Sequence, residues 1–432
     1  MTRHDVIVVG GGVAGISAAV NLADAGAKVL LLEQRRLLGG RAGSFAHALG
    51  PAGLLDNAQH VLLGCCSELQ SLYGRLGVAG LIRYDDVIRF AGPDGRRAEM
   101  RAAMLPAPLH LGPSMLRFGL LKLRQKVEIV RAMAAMMVEG ETGREQRGDT
   151  SFGAYLREQD QSDDTIGEFW DVIAVSALNE HCAQASAKYG MQVFQEGFLA
   201  SRGGYRLGYA RVPLTELYSR LGGLSVRMGA QVRELVLEKG RVAGVELVGG
   251  ERLPAGQVVL AASPSGAIPL LRSVYGLDER LQRIEQIEFR PILGAHLLFD
   301  RPVTIDAPVA LVGTHLQWVF VDEQRPELIH GVVSAADLLP DGVDLAELFV
   351  SELRQVYPEM MGLKLADSVM VKENRATFRP VPGIDHLRPG QRTRVSGLTL
   401  AGDYTRTDWP ATMEGAARSG QRAAEVVLHL WG

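Results

Sequence analysis

The chain has 432 residues, 47% of them hydrophobic and 22% charged, with a formal net charge of −3 at pH 7. That length exceeds one ordinary core and points to two domains, while the near-neutral charge leaves no basic footprint for nucleic acid. Three cysteines, Cys65, Cys66 and Cys182, cannot build a disulfide framework, and no Cys/His spacing suggests a metal, so they read as small buried hydrophobes.

Taken in order, the apolar run Val6-Ile7-Val8-Val9 leads into Gly10-Gly11-Gly12-Val13-Ala14-Gly15, and Lys28 to Leu32 forms a second strand closed by Glu33 and Gln34. Strand, glycine turn, helix, strand and acid together are a dinucleotide-binding unit. Gly10 makes the tight turn, Gly12 admits a pyrophosphate, and Gly15 lets the helix pack closely. The helix start, with Val13 and Ala14, offers free amides to phosphate. Glu33 suits an adenosine ribose. Gly39-Gly40-Arg41 then presents a guanidinium within reach of the same pyrophosphate. A polar stretch, Asp56-Asn57-Ala58-Gln59-His60, separates two apolar runs and leads to a helix over 67–76.

From 83 to 202 the periodicity is helical or irregular. Within it, 109–137 mixes Leu, Met and Phe with Arg117, Lys122, Arg124, Lys126 and Arg131, a pattern that fits either a membrane-interface helix or a core-facing one. The charged stretch 139–149 reads as a surface loop. Strand signals return afterwards: a helix over 213–221, a hairpin over 232–247 with Gly249-Gly250 beyond it, and a buried strand over 258–262. Further strands read at 292–299, 316–321 and 330–333, with a helix over 345–355. Leu398-Thr399-Leu400-Ala401-Gly402-Asp403 is a strand ending in Gly-Asp, and 410–428 reads as a helix opened by Pro410. No run of ~18 apolar residues is present, and the first strand begins close to Met1, so the chain reads as cytoplasmic without a secretory signal. Surface attachment to a membrane stays open.

The two ends resemble the flavin amine oxidase and phytoene desaturase superfamily. That resemblance implies FAD bound by both termini, in a Rossmann-like (GR2-type) α/β domain built from discontinuous segments (1–82, 203–270 and 388–432). An α+β substrate domain (83–202 and 271–387) is inserted into it. It also implies roles: Gly402 and Asp403 at the ribityl or pyrophosphate region, Thr412, Met413 and Glu414 beside the flavin pyrimidine, and Val232 against the adenine. The stretch from Asp56 to Cys65 resembles, more narrowly, the squalene-associated desaturases called hydroxysqualene dehydroxylases. So do Ala177-Leu178-Asn179, Gly197-Phe198-Leu199, Arg211 to Leu214, Arg375 to Pro380 and Trp409 to Ala416. Ala58 stands where that pattern has glycine, and Cys66 where it has an aromatic.

This resemblance implies reductive removal of the hydroxyl of hydroxysqualene, a long isoprenoid. The carbinol carbon must approach the flavin to about 3–3.5 Å, departure of water must be assisted, and bulk water must be excluded. His60, Asn57, Asn179 and Arg379 are the candidates for assisting departure. His60 alone titrates near neutral pH, and its other reading is a structural histidine bonding a loop carbonyl. Asn57 and Gln59 also suit bonds to the flavin ring or backbone, and Arg375 and Arg379 suit a salt-bridge scaffold. With one nucleotide fingerprint in the chain, electrons are expected from an external donor. The competing expectations are oxidative desaturation of a carotenoid or phytoene and a non-catalytic lipid escort; the latter has no need of an intact pyrophosphate cradle.

Overall fold

The computed structural model describes residues 4–431. In strand His4–Val9, Val6, Ile7 and Val8 are wholly buried, as in a central strand covered on both faces. It runs parallel to Val29–Glu33 on one side and to Arg252–Leu260 on the other. Ser225–Met228 lies beyond the first neighbour and Leu398–Leu400 beside the second. A hairpin of Val232–Glu238 and Arg241–Leu247 extends the sheet antiparallel. One sheet thus draws on both ends and the middle of the chain.

Helix Val13–Asp24 covers this sheet, and the last helix, Met413–His429, lies directly against it. A Cβ on Gly420 would stand 2.2 Å from the Ala14 carbonyl oxygen, so only glycine permits that approach. Ser17 Oγ adds a hydrogen bond to the Ala417 carbonyl at 2.8 Å.

A second sheet, mostly antiparallel, runs in the order Leu365–Phe378, Phe289–Phe299, Leu328–Ser334, Trp318–Val321, Val309–Leu311, Val87–Ala91 and Arg97–Arg101. Its strands bury alternate residues on two faces. Leu293, Ala295 and Leu297 pack with Phe349 and Leu353 of helix Leu345–Val356. Gly294 faces the nucleotide-binding sheet's loops instead: a Cβ there would meet the Asn57 carbonyl oxygen at 2.5 Å. The helical lobe between 109 and 199 closes on an aromatic cluster in which Trp170 and Phe194 have ring centroids 4.6 Å apart. No helix among the described residues is long and apolar enough to cross a membrane.

The α/β architecture matches the expectation, with several local corrections. Residues 83–202 hold strands Val87–Ala91 and Arg97–Arg101, not only helices. The segment 109–137 is two helices, Gly112–Arg117 and Leu123–Gln146, broken where Phe118, Leu120 and Leu121 turn into the core. The stretch 139–149 is no loop: the second helix runs through it to Gln146, interrupted at Gly140. Its charges are tertiary pins, since buried Arg144 donates to Gln195 at 2.9 Å and to Glu196 at 3.1 Å. Only a short 3-10 turn, Leu214–Tyr218, forms at 213–221. The last helix starts at Met413 because Thr412 Oγ1 caps it by accepting from the Gly415 amide at 3.0 Å.

Candidate cofactor and active site

The glycine turn is shaped by close contacts. Gly10 has φ +113, and a Cβ there would lie 2.7 Å from the Ala261 carbonyl oxygen. A Cβ on Gly15 would lie 1.9 Å from the Gly10 carbonyl oxygen. Gly12 differs: its nearest neighbours, on Gly39 and Gly40, are 3.9 Å from a Cβ, so the bare position opens a space. Gly12 is the N-cap of helix Val13–Asp24, whose first turn carries no acid. The amides of Val13, Ala14 and Gly15 and the positive end of the helix therefore meet no negative side chain there, which fits a bound pyrophosphate.

The surrounding residues complete a cradle. Glu33 is buried, and its two carboxylate oxygens accept from the Gly11 and Arg35 amides, each at 2.7 Å. Gln34 beside it is exposed. The Glu33 carbonyl accepts from the Ala230 amide at 2.8 Å, which brings the start of the strand carrying half-buried Val232 beside the acid. The Gly39 amide donates to Gly11 O at 2.9 Å, laying the Gly39–Gly40 turn on the glycine turn. Arg41 then reaches buried Asp403 in an ion pair and donates to the Ala376 carbonyl at 2.6 Å. Gly402 holds Asp403 in place through its amide bond to Ser419 Oγ at 2.6 Å. Two charges from opposite ends of the chain thus meet beside the open helix start.

Asn57 Nδ2 donates to the Arg41 carbonyl at 3.1 Å, so this residue braces the arginine loop. Ala58 is buried, consistent with a small residue opposite Gly294. Glu414 does not face open space. Its carboxylate accepts from the Glu68 and Leu69 amides at 3.1 and 2.8 Å, capping helix Ser67–Arg75, and burial raises its pKa. Half-buried Met413 packs into the apolar core of the nucleotide-binding part.

The four residues singled out for chemistry separate in the structure. His60 is half-buried with Nδ1 2.8 Å from the Ala58 carbonyl, an arrangement that assigns the proton to Nδ1 and leaves Nε2 as an acceptor. Burial pushes its pKa below the usual histidine range. Asn179 is committed elsewhere. Its amide nitrogen donates to Arg290 O and Thr377 Oγ1, and its oxygen accepts from the Ala335 amide at 2.6 Å. Arg379 bonds wholly buried Glu180 at 2.7 Å and exposed Glu288 at 3.2 Å, with Glu180 also taking Arg290. Asn179 and Arg379 are therefore tied into a scaffold that joins the helical lobe to the second sheet.

Sequence reasoning missed a polar string beside the Asp56–His60 loop. Asp322 Oδ2 accepts from His330 Nε2 at 3.0 Å, and His330 Nδ1 lies 2.8 Å from His296 Nδ1. His296 is fully buried, its Nε2 has no partner, and burial beside His330 pushes its pKa down to about 3. Asp322 and His330 line a cavity of about 150 Å³ together with Asp56, Gln59 and Tyr209. Both histidines lie in strands that the sequence shows, 292–299 and 330–333, but their meeting across 34 residues depends on register.

A glycine turn open at a helix start, a buried acid at the end of the next strand and an Arg–Asp pair from both termini have the form of a dinucleotide-binding site. Residues 13–428 match the flavin containing amine oxidoreductases, and the chain belongs to that family, an FAD-dependent group of oxidoreductases. It is 30% identical over 459 residues to a hydroxysqualene dehydroxylase of Rhodopseudomonas palustris, covering 98% of each chain. It is 26% identical to a chloroplastic/chromoplastic 15-cis-phytoene desaturase of an Oncidium hybrid cultivar, covering 98% of this chain and 78% of that one. The fold is shared with cyclohexylamine oxidase from Brevibacterium oxydans at 17% identity and a TM-score of 0.72, over the full length of both.

Proposed function

We propose that this protein removes the hydroxyl of hydroxysqualene reductively, giving squalene and water. The observation that carries the reading is the end-to-end match to the hydroxysqualene dehydroxylase, 98% of either chain, together with an intact cofactor cradle. Bound FAD, once reduced by an external donor, supplies the hydride that replaces the hydroxyl. The residues of the chain do the rest. The amides of Val13 to Gly15, with Glu33, Arg41, Gly402 and Asp403, hold the cofactor, and Val232, Thr412, Met413 and the Asn57–Gln59 loop flank it.

His60 is the group we assign to the substrate hydroxyl. With Nδ1 held by the loop, its Nε2 takes a proton from solvent and passes it to the departing hydroxyl, which leaves as water, while Asn57 keeps its place in the arginine loop. The isoprenoid chain is assigned to the apolar side chains between the helical lobe and the second sheet, where Trp318 Nε1 bonds Ser176 at 2.8 Å and Ile173, Ala177 and Val193 are half-buried. Such a wall keeps bulk water from the reacting carbon. Because a substrate of this class dissolves in bilayers, we assign the protein to the inner face of the cytoplasmic membrane as a peripheral protein.

The test is anaerobic. Dithionite-reduced protein is mixed with hydroxysqualene, and flavin absorbance and squalene are followed together. Their joint, stoichiometric appearance supports dehydroxylation. Reduced flavin that ignores hydroxysqualene overturns it. Oxidative desaturation, favoured by the phytoene desaturase match, is read by adding phytoene to the oxidised protein. A colourless protein that takes up no FAD would point to a lipid escort.

A further inference from the structure

The exposed apolar side chains of this protein are unevenly placed. Among the described residues nineteen large ones are exposed, and nine of them fall between Met104 and Val138. Met104 is 88% exposed, Leu116 71% and Leu123 73%. In helix Leu123–Gln146 the apolar residues divide cleanly by face. Ile129, Ala132 and Met136 are buried, while Leu123, Val127, Val130 and Met137 look outward at helical spacing. A core-facing helix needs only the first set.

These residues form one surface. Lys126 Nζ donates to the Leu116 carbonyl at 2.8 Å, joining the start of this helix to the end of Gly112–Arg117. The Ala103 amide donates to His110 O at 2.7 Å and the Arg101 amide to Ser114 Oγ at 2.9 Å, which folds the Met104–Leu109 loop onto the same lobe. Clusters of this extent mark contact sites on soluble proteins.

The charge of the surface says what it contacts. Residues 101–138 carry six basic side chains and one acidic, in a chain of net charge −3. The one acid, Glu128, is buried and engaged by Arg124, Ser162 and Thr165. Arg101, Arg117 and Lys122 are exposed and make no ion pair among the described residues. Apolar side chains ringed by unpaired cations are complementary to an anionic bilayer, which takes the former below its headgroups and the latter among them.

We propose that the 102–111 loop, helix Gly112–Arg117 and the outward face of Leu123–Val138 form a docking surface for anionic lipid membrane. Leu116, Leu123, Val127 and Val130 insert, and Arg117 and Lys122 bind headgroup phosphates. This deepens the peripheral-membrane part of the proposed function, yet its test uses neither hydroxysqualene nor any catalytic residue, so either can fail alone.

FAD-loaded full-length protein is floated with vesicles of phosphatidylcholine, with and without phosphatidylglycerol, at low and high salt. We expect binding to the anionic vesicles that weakens with salt. Arg117→Ser with Lys122→Ser should lower that affinity about thirtyfold. Leu116→Ser, Leu123→Ser and Val127→Ser together should abolish flotation while flavin content and melting temperature hold, since none of the three is buried. Wild-type protein that floats with neither vesicle, or a triple variant that floats like wild type, overturns the proposal. So does a wild-type dimer, split by the serines in sedimentation velocity, that binds no vesicles; the face would then join two copies of the chain.

Discussion

Gly12 and Gly15 stand three residues apart in one turn, and the structure assigns them opposite consequences on substitution by alanine. At Gly12 the new Cβ has no neighbour nearer than 3.9 Å, and the backbone (φ −79, ψ 177) is one any residue adopts. Gly12→Ala therefore folds with a stability within about 1 kcal/mol of wild type. Its methyl nevertheless occupies the space before the helix amides, and losing one charge-assisted bond to pyrophosphate costs about 1.5–3 kcal/mol. That is roughly a ten- to hundredfold rise in the Kd for FAD. At Gly15 the Cβ falls 1.9 Å from a backbone oxygen, so Gly15→Ala must move the helix off the strand and lose about 1–3 kcal/mol or more of stability. Urea unfolding of the apoproteins and fluorescence titration with FAD separate the two effects. Wild-type FAD affinity in Gly12→Ala would refute the placement of pyrophosphate at this helix start.

Glu180→Gln should cost about 1–3 kcal/mol in urea unfolding, because it removes the wholly buried carboxylate shared by Arg290 and Arg379, each of which keeps a second, more exposed one, Asp337 and Glu288; a loss below about 0.5 kcal/mol would show that the buried carboxylate adds nothing to the scaffold. His296, held near pKa 3 when folded, takes up a proton on unfolding between about pH 6.5 and pH 3. Stability should thus fall as the pH drops from about 6.5 towards 3, and His296→Gln should flatten the fall, as read by urea midpoints across that range. Glu414→Ala removes the acceptor of two helix-start amides and should lower stability by about 1–3 kcal/mol while leaving FAD titrations near wild type. A loss of flavin without a loss of stability would move Glu414 into the cofactor site.

The cofactor half of the molecule was legible in the sequence because its signals are local. A buried strand, three glycines and an acid repeat a fixed geometry over 30 residues, and Gly402-Asp403 follows the same rule at the far end. What the sequence hides is who faces whom. Asn179 and Arg379 have the right chemistry for assisting a leaving group, but their partners, Thr377, Ala335 and Glu180, lie up to 199 residues away. The charged stretch 139–149 looks solvated for the same reason, since the groups that hold Arg144 come from residues 195 and 196. Strands Val87–Ala91 and Arg97–Arg101 did leave a local sign, since Arg97 to Arg101 alternates polar and apolar and Gly92-Pro93-Asp94-Gly95 marks the turn between them, but at five residues each they are easily lost in a stretch that reads as helical or irregular.

The bond from Ser17 to Ala417 spans 400 residues, and it has a consequence for how the protein is made. During synthesis the glycine turn leaves the ribosome early, but the helix that buttresses it and the aspartate that meets Arg41 arrive at the end. The nucleotide half-site must wait, incomplete, through the translation of everything inserted between. Cofactor loading is then a late event, and a chain truncated before residue 403 holds the fingerprint without the means to close it.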